Sequence, residues 1–322
     1  MPTFLSRFKS CVAGIFGVIA VSGALAQAPM SKDETPGWYR MKLGAFEVTA
    51  LSDGTLELPV DKVFPKVDPG RIRSLLARSY LSTNVELTVN AFLVNTGTRL
   101  VLIDTGTGTS QMFGPRLGKL LSNLRASGYS AEQVEEIYLT HMHTDHIGGL
   151  MRDSQPSFPN ATIRANAREA ARYLSEDQMN AAPADEREDY ESAMSIFKPY
   201  LASGKFKPFD GETELIPGVR AMPAPGHTPG HTIYVVESGG ERMLVWGDLM
   251  HVAAVQFPLP SATFQTEWST RQSAQQRQTV FADVASHRYY VAAAHVAFPG
   301  IAKLRASGDG YAWVPLSYIF GK

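Results

Sequence analysis

Residues Thr140–Leu150, THMHTDHIGGL, constrain this chain more than any other stretch. They crowd His141, His143, Asp145 and His146 together and close on Gly148 and Gly149. Lone histidines are usually surface residues of polar loops. Four side chains of metal-binding type packed this closely at the end of a strand point instead to a metal site. Imidazole and carboxylate are the ligands that zinc-like ions take. A single catalytic ion takes three protein ligands, whereas two ions held close together need roughly six or seven. His141 and His143 alternate, so in extended chain they share a side and can grip one ion. Asp145 and His146, just past the bend, can face a second. The two glycines let the backbone turn sharply and approach its neighbours closely.

The rest of the chain supplies more ligands at similar places. PAPGHTPGHT offers His227 and His231, WGDL offers Asp248, and AAAHVAF offers His295. Pro-Gly ahead of His227 puts that residue in a tight turn at a sheet edge. His231 opens the run HTIYVV and points along the strand. His227 is therefore the expected ligand, and His231 a strand-start histidine bonded to its neighbours.

The elements around these motifs alternate between strand and helix. FEVTALSDG alternates as a strand ending in a turn, and PGRIRSLLARSYL has helical spacing. VNAFLVNTGTRLVLIDTG and HTIYVVESGGERMLVWGDL each read as strand, glycine turn, strand, aspartate. Their likeness raises a duplicated half as one possibility. FGPRLGKLLSNLRASG reads as a helix closed by Gly128. SAEQVEEIYLT runs from a short helix capped by Ser130 into a strand over 137–140. NATIRANAREAARYLS is strand then helix, and residues 176–204 are helical with an acidic exposed face. EWSTRQSAQQRQTVFADVASH is a long helix, and RYYVAAAH a strand that stops at His295. Short apolar strands alternating with helices make an α/β protein, expected as two sheets covered by helices.

Composition narrows the function classes. The 322 residues carry 30 basic and 31 acidic side chains, a formal net charge of −1. No run of basic residues suits a nucleic acid or a membrane surface. Arg7 and Lys9, the apolar run CVAGIFGVIAVSGAL and the small residues Ala24-Leu25-Ala26 read as a secretory signal over residues 1–26. A loose arm over 27–37 and one domain over 38–322 are expected to follow, with the mature chain periplasmic or secreted. The apolar run is shorter than the ~20 residues of a membrane span, so no stable membrane anchor is expected. The single cysteine, Cys11, lies inside this signal. The mature chain then has no disulfide, thiolate nucleophile or Cys–metal bond.

HMHTDH followed in order by His227, Asp248 and His295 resembles the metallo-β-lactamase superfamily, as does DTG at Asp104–Gly106. The resemblance covers roughly residues 40–322. It implies an αβ/βα sandwich with the site at one edge of two facing sheets. It also implies two divalent metal ions, with Zn expected and Mn, Fe or Co also accepted by such ligands. His141, His143 and His227 would hold one ion; Asp145, His146 and His295 the other; Asp248 would bridge them. Asp104 would orient a ligand imidazole. YRMKLGAFEVTALSDGTLELPVDK, GKFKPFDGETELIPG, GHTPGHTIYVVESGGE and VAAVQFPLPS bring the chain nearest to the methyl parathion hydrolase group and its exported lactonase and arylesterase relatives. Those relatives imply a homodimer and a substrate pocket built from Phe113, Tyr173, Tyr190, His251 and Phe264.

Three functions compete. The first is hydrolysis of lactones or aryl esters, in which two ions acidify a bridging water whose hydroxide attacks the carbonyl. Asp145 or Asp248 would take or relay the proton, and His251 would donate to the carbonyl or the leaving oxygen. The second is phosphotriester hydrolysis by the same machinery. The third is a non-catalytic periplasmic binding protein with a degenerate site, which a complete ligand set argues against.

Overall fold

The strands sort their side chains by alternation. Val94, Val101, Ile103 and Tyr138 from one sheet pack against Val236, Met243, Val245 and Ala292 from another. Their neighbours Leu93, Leu102 and Ile137 face the other way and pack against helical residues such as Leu124 and Phe197. In the second sheet Val235, Leu244 and Val291 turn outward to Phe281 and Val284. Period-2 alternation thus divides each strand between a central core shared by two sheets and an outer core shared with helices. The result is a four-layer αβ/βα sandwich, as the resemblance implies.

The computed structural model describes residue 30 and residues 35–110, 112–184 and 186–317. The expected signal over 1–26 and most of the arm over 27–37 lie outside the described residues. Strands β1 (Trp38–Leu43), β2 (Phe46–Pro59), β3 (Asn84–Asn95) and β4 (Leu100–Ile103) form an antiparallel meander. Strand β5 (Glu136–Tyr138) joins parallel to β4. The small ribbon of β6 (Met151–Arg152) and β7 (Gln155–Pro156) stands apart, and β8 (Thr162–Arg164) lies parallel beside β5. The second sheet runs antiparallel through β9 (Thr213–Ile216), β10 (Val219–Pro223), β11 (Thr232–Ser238) and β12 (Glu241–Val245). Strand β13 (Tyr290–Ala292) is parallel to β12, and β14 (Ile301–Ser307) and β15 (Gly310–Pro315) complete it.

The helices are α1 (Pro69–Arg78), α2 (Leu120–Ala126), α3 (Thr144–Ile147), α4 (Ala167–Tyr173), α5 (Glu176–Ala181), α6 (Arg187–Ala202), α7 (Ala253–Gln256) and α8 (Thr270–His287). Hairpin β3–β4, helix α2 and parallel strand β5 are matched by hairpin β11–β12, helix α8 and parallel strand β13. The two hairpins alike in sequence therefore occupy equivalent places in two similar halves. Among the described residues no helix is long and apolar enough to cross a membrane.

Several expected boundaries shift. Asp53-Gly54 is not a turn, because β2 runs through it to Pro59 with a bulge between Ser52 and Gly54. The bulge re-aims a side chain. Asp53 points inward, fully buried, and accepts from Thr107 N and Oγ1, Gly118 N and Leu120 N at 2.7–3.1 Å. These bonds replace helix over 113–119, so α2 begins only at Leu120. The expected helix over 176–204 is broken into α5 and α6. Strand β5 ends at Tyr138 rather than residue 140, and β13 at Ala292 rather than His295. In both places the chain leaves the sheet before its histidines. Gly148 and Gly149 keep negative φ. Their role is close approach, since an added Cβ would meet Thr107 O at 2.2 Å and Thr105 O at 1.9 Å.

Asp53→Ala would strand those donors without solvent. Urea unfolding should show a loss of roughly 3 kcal/mol or more, well beyond a surface substitution. A change under about 1 kcal/mol would mean the loop satisfies itself another way.

Candidate metal centre

Parallel pairing brings the carboxyl ends of β4 and β5 to one rim, and those of β12 and β13 likewise. Asp104 follows β4, the His141–His146 loop follows β5, Asp248 follows β12 and His295 follows β13. The turn between β10 and β11 carries His227. Helix α3, a single turn, swings Asp145 and His146 back toward the rim.

The side chains converge in two groups. His141 Nε2 and His227 Nε2 each lie 3.0 Å from His143 Nδ1. Ligand nitrogens around a tetrahedral ion at about 2.0–2.1 Å are about 3.3 Å apart, close to this spacing. Asp145 Oδ2 lies 3.5 Å from His146 Nε2 and 3.4 Å from His295 Nε2. Asp248 stands between the groups. Its Oδ1 is 3.1 Å from both His146 Nε2 and His295 Nε2, and its Oδ2 is 3.3 Å from His227 Nε2. His146 Nε2 and Asp248 Oδ1 are buried and, among the described residues, not aligned to hydrogen-bond each other or anything else. Buried polar atoms without partners are costly, and a cation at the shared point would satisfy both. The donor set and these orphaned atoms fit divalent metal.

His141, His143, His146 and His295 are each held by the outer nitrogen, which leaves the inner lone pair free. Asp104, at φ +61°, accepts from Thr140 N and Oγ1 at 2.8 Å and from His146 Nδ1 at 2.9 Å. Thr140 Oγ1 in turn accepts from His141 Nδ1 at 3.1 Å. His143 Nε2 meets the Tyr173 hydroxyl at 2.9 Å, and His295 Nδ1 donates to Thr88 O at 3.0 Å. Asp104 thus orients two rings, His146 directly and His141 through Thr140. His231 lies off the cluster: its Nδ1 donates to Ala224 O and its Nε2 accepts from Asp248 N at 3.1 Å.

Charge is distributed unevenly. Burial, reinforced by neighbouring imidazoles, holds His141 and His143 well below the ordinary histidine pKa. Burial opposes charge on His146 as well, but Asp248, Asp145 and Asp104 outweigh it and raise its pKa well above the ordinary value. Burial also opposes ionisation of Asp248, yet His295, His146, His251 and His141 hold it far below the carboxylate range. An ionised carboxylate thus sits at the centre, and metal must displace protons from some of the rings around it.

The cluster opens into a cavity of about 670 Å³. Phe113, Tyr173, Tyr190, His251 and Phe264 all line it. His251 Nε2 is 3.1 Å from Asp248 Oδ2, its ring stacks on Phe264 at 4.3 Å, and its buried Nδ1 has no partner among the described residues. It belongs to both the cluster and the wall. A larger hollow beside Phe257 and Trp313, about 1150 Å³, contains none of these ligands.

Four residues escaped the sequence reading. Glu169, fully buried on α4, accepts from Met142 N at 3.1 Å and Gly230 N at 2.7 Å, bracketing two ligand-bearing loops. Its spacing of four from Tyr173 on one helix face was the available signal. Glu267 Oε2 faces His227 Nδ1 at 3.4 Å. Arg172 and Asp189 add a polar side to the cavity, and burial, then the charge of Asp145, lifts Asp189 to about 6.

Residues 85–277 match the family model described as the metallo-beta-lactamase superfamily. The chain belongs to that superfamily. It is similar to the solved hydrolase AbOPH of the beta lactamase superfamily, at 33% identity and TM-score 0.84 over 89% of this chain and 100% of that one. It is also similar to AidC, a dizinc quorum-quenching lactonase solved with the product N-hexanoyl-L-homoserine, at 27% identity and TM-score 0.80 over 88% and 98%. Among curated relatives, a probable metallo-hydrolase of Mycobacterium bovis is 27% identical over 207 residues, 58% of this chain and 64% of its own length. The chain thus spans under two thirds of that relative. An N-acyl homoserine lactonase of Bacillus cereus is 27% identical over 192 residues, 52% of this chain and 67% of its own length.

His231 yields a pH prediction. Burial lowers its folded pKa from 6.5 to about 3, so it stays neutral in the fold but charges on unfolding. Its contribution is present above about pH 6.5 and lost as pH falls toward 3. Against His231→Gln, the wild type should lose up to about 1 kcal/mol more per pH unit between about pH 6 and 4 in urea titrations. Parallel profiles would refute a neutral buried ring.

Proposed function

We propose that the chain is a two-metal hydrolase of lactones and aryl esters. The observation that carries this reading is the paired ligand set around Asp248 at the floor of the cavity. The likeness to a dizinc lactonase and to N-acyl homoserine lactonases supports the substrate class.

His141, His143 and His227 would hold one ion, Asp145, His146 and His295 the other, and Asp248 both. Zinc is the expected metal. Bound metal supplies an acidified water as nucleophile and a Lewis acid for the substrate oxygen. The chain's own residues do the rest. Asp104, Thr140, Tyr173 and Thr88 fix the imidazoles before substrate arrives, so little reorganisation remains for the reaction. Asp145 lines the cavity and can take the proton released on attack, with Asp248 deeper beside it. His251, whose Nε2 lies against Asp248, would turn its N–H to the ester carbonyl or the leaving oxygen once that carboxylate is held by metal. Phe113 and Phe264 provide an apolar wall for an acyl or aryl group.

The residue 1–26 pattern supports export to the periplasm, and the nearer resemblance supports a homodimer. A lactonase and arylesterase main activity ranks above phosphotriester hydrolysis because the His251 ring fills space that a tetrahedral substrate with two alkoxy arms would need.

Elemental analysis of the purified protein should find about two ions per chain, and Asp248→Ala should abolish most activity. One ion at full activity would refute the two-metal reading. His227→Ala should lose far more metal than His231→Ala, whose ring only supports the Asp248 backbone.

A turnover panel of an aryl lactone, an aryl acetate, an acyl-homoserine lactone and a phosphotriester tests the substrate class. Lactone or ester turnover should dominate. His251→Leu should raise the phosphotriester-to-lactone ratio roughly tenfold, equivalent to about 1.4 kcal/mol of differential barrier. An unchanged ratio would make His251 a packing residue, and wild-type preference for the phosphotriester would reverse the ranking.

A further inference from the structure

Arg277 and Glu267 are buried completely, far from any surface role. Arg277 lies in the interior of α8 and uses all of its N–H groups. Its Nε donates to Leu249 O at 2.7 Å. One terminal nitrogen donates to Pro260 O at 3.0 Å and Ala262 O at 2.6 Å, and the other to Glu267 Oε1 at 3.0 Å and Ser273 Oγ at 2.9 Å. Leu249 follows Asp248, and Ala262 lies just ahead of the cavity wall residue Phe264.

Among the described residues the other carboxylate oxygen, Glu267 Oε2, has no hydrogen-bond partner, and neither has His227 Nδ1. The two orphaned atoms face each other at 3.4 Å, slightly beyond an ordinary N–H···O bond. With Nε2 turned to the cluster, Nδ1 is the nitrogen that carries hydrogen, and Glu267 is the acceptor it faces. We propose that Glu267 and Arg277 are a positioning pair: the carboxylate orients His227, and the guanidinium ties it to the Asp248 turn and the cavity wall. The inference rests on the reading of His227 as a metal ligand.

An amide cannot replace this carboxylate. Its oxygen can accept from Arg277 or from His227, but its NH2 then meets another donor on the remaining side. Ser273→Ala is the structural control, since it removes an Arg277 bond without touching His227.

The test is zinc retention by the full-length metal-loaded chain against graded chelator, with kcat and KM measured on an aryl lactone. Glu267→Gln should weaken retention of one ion by tenfold or more while the second is held as in wild type, a size usual for partners of metal-ligating histidines. In that variant kcat should fall with KM little changed, and Ser273→Ala should keep both ions. Arg277→Lys, which keeps a cation beside Glu267 but cannot span the five acceptors, should weaken the same ion to a lesser degree and supplies the measurement if Glu267→Gln does not fold. Wild-type retention in Glu267→Gln, or equal loss of both ions in Glu267→Gln and Ser273→Ala, overturns the positioning role. A wild-type chain that holds no metal overturns this inference together with the metal reading.

Discussion

An ionised carboxylate buried among imidazoles is the interaction on which the site depends. Asp248 contacts His146, His227, His251 and His295 within 3.3 Å. Burial alone would neutralise it, and the surrounding rings prevent that. Such a centre is unstable as a set of free polar groups. It becomes reasonable where divalent metal takes the inner nitrogens and oxygens, and where the outer nitrogens of His141, His143, His146 and His295 are already committed. The architecture serves that commitment: parallel strand pairs bring the ligand-bearing loops to one rim, and the neighbouring strand β3 supplies Thr88 O to His295.

Buried carboxylates recur around this centre, each with a different mechanical task. Asp53 organises the loop after β4 through bonds to Thr107, Gly118 and Leu120. Asp104 orients His146 directly and His141 through Thr140. Glu169 joins the His141–His143 loop to the turn bearing His227. Burial costs each acid its hydration, and backbone N–H groups, hydroxyls or ring nitrogens replace it. Rigid loops result, although they lie outside the regular sheets. The cavity above them is mixed in character. His251 sits where the apolar wall and the ligand cluster meet, stacked on Phe264 and touching Asp248.

The local pattern was legible in the sequence. HMHTDH, His227, Asp248 and His295 carried the ligand types, and two similar hairpins marked the repeated halves. His231 differs from His227 in opening the apolar run HTIYVV, which set it at the start of a strand. These features are short-range, since residue type and spacing along one loop decide them. Strand alternation likewise assigned residues to faces, and the observed cores follow it.

What only the tertiary structure decided is which distant atoms support that pattern. Beyond the spacing of Glu169 from Tyr173, nothing local marks Glu169 or Glu267 as buried, yet both lie inside because α4 and the segment leading into α8 pack there. Asp53-Gly54 has the composition of a turn, but pairing with β3 keeps it in the strand as a bulge and turns Asp53 inward. The stops of β5 and β13 short of their histidines were equally invisible, since apolar runs continue past them. The sequence by itself determined the candidate ligand residues and the layers, because those depend on residue type and local period. The outer bonds that aim the ligands, and the wall against which substrate would rest, depend on contacts between residues far apart in the chain and exist only once the two sheets and their helices have packed.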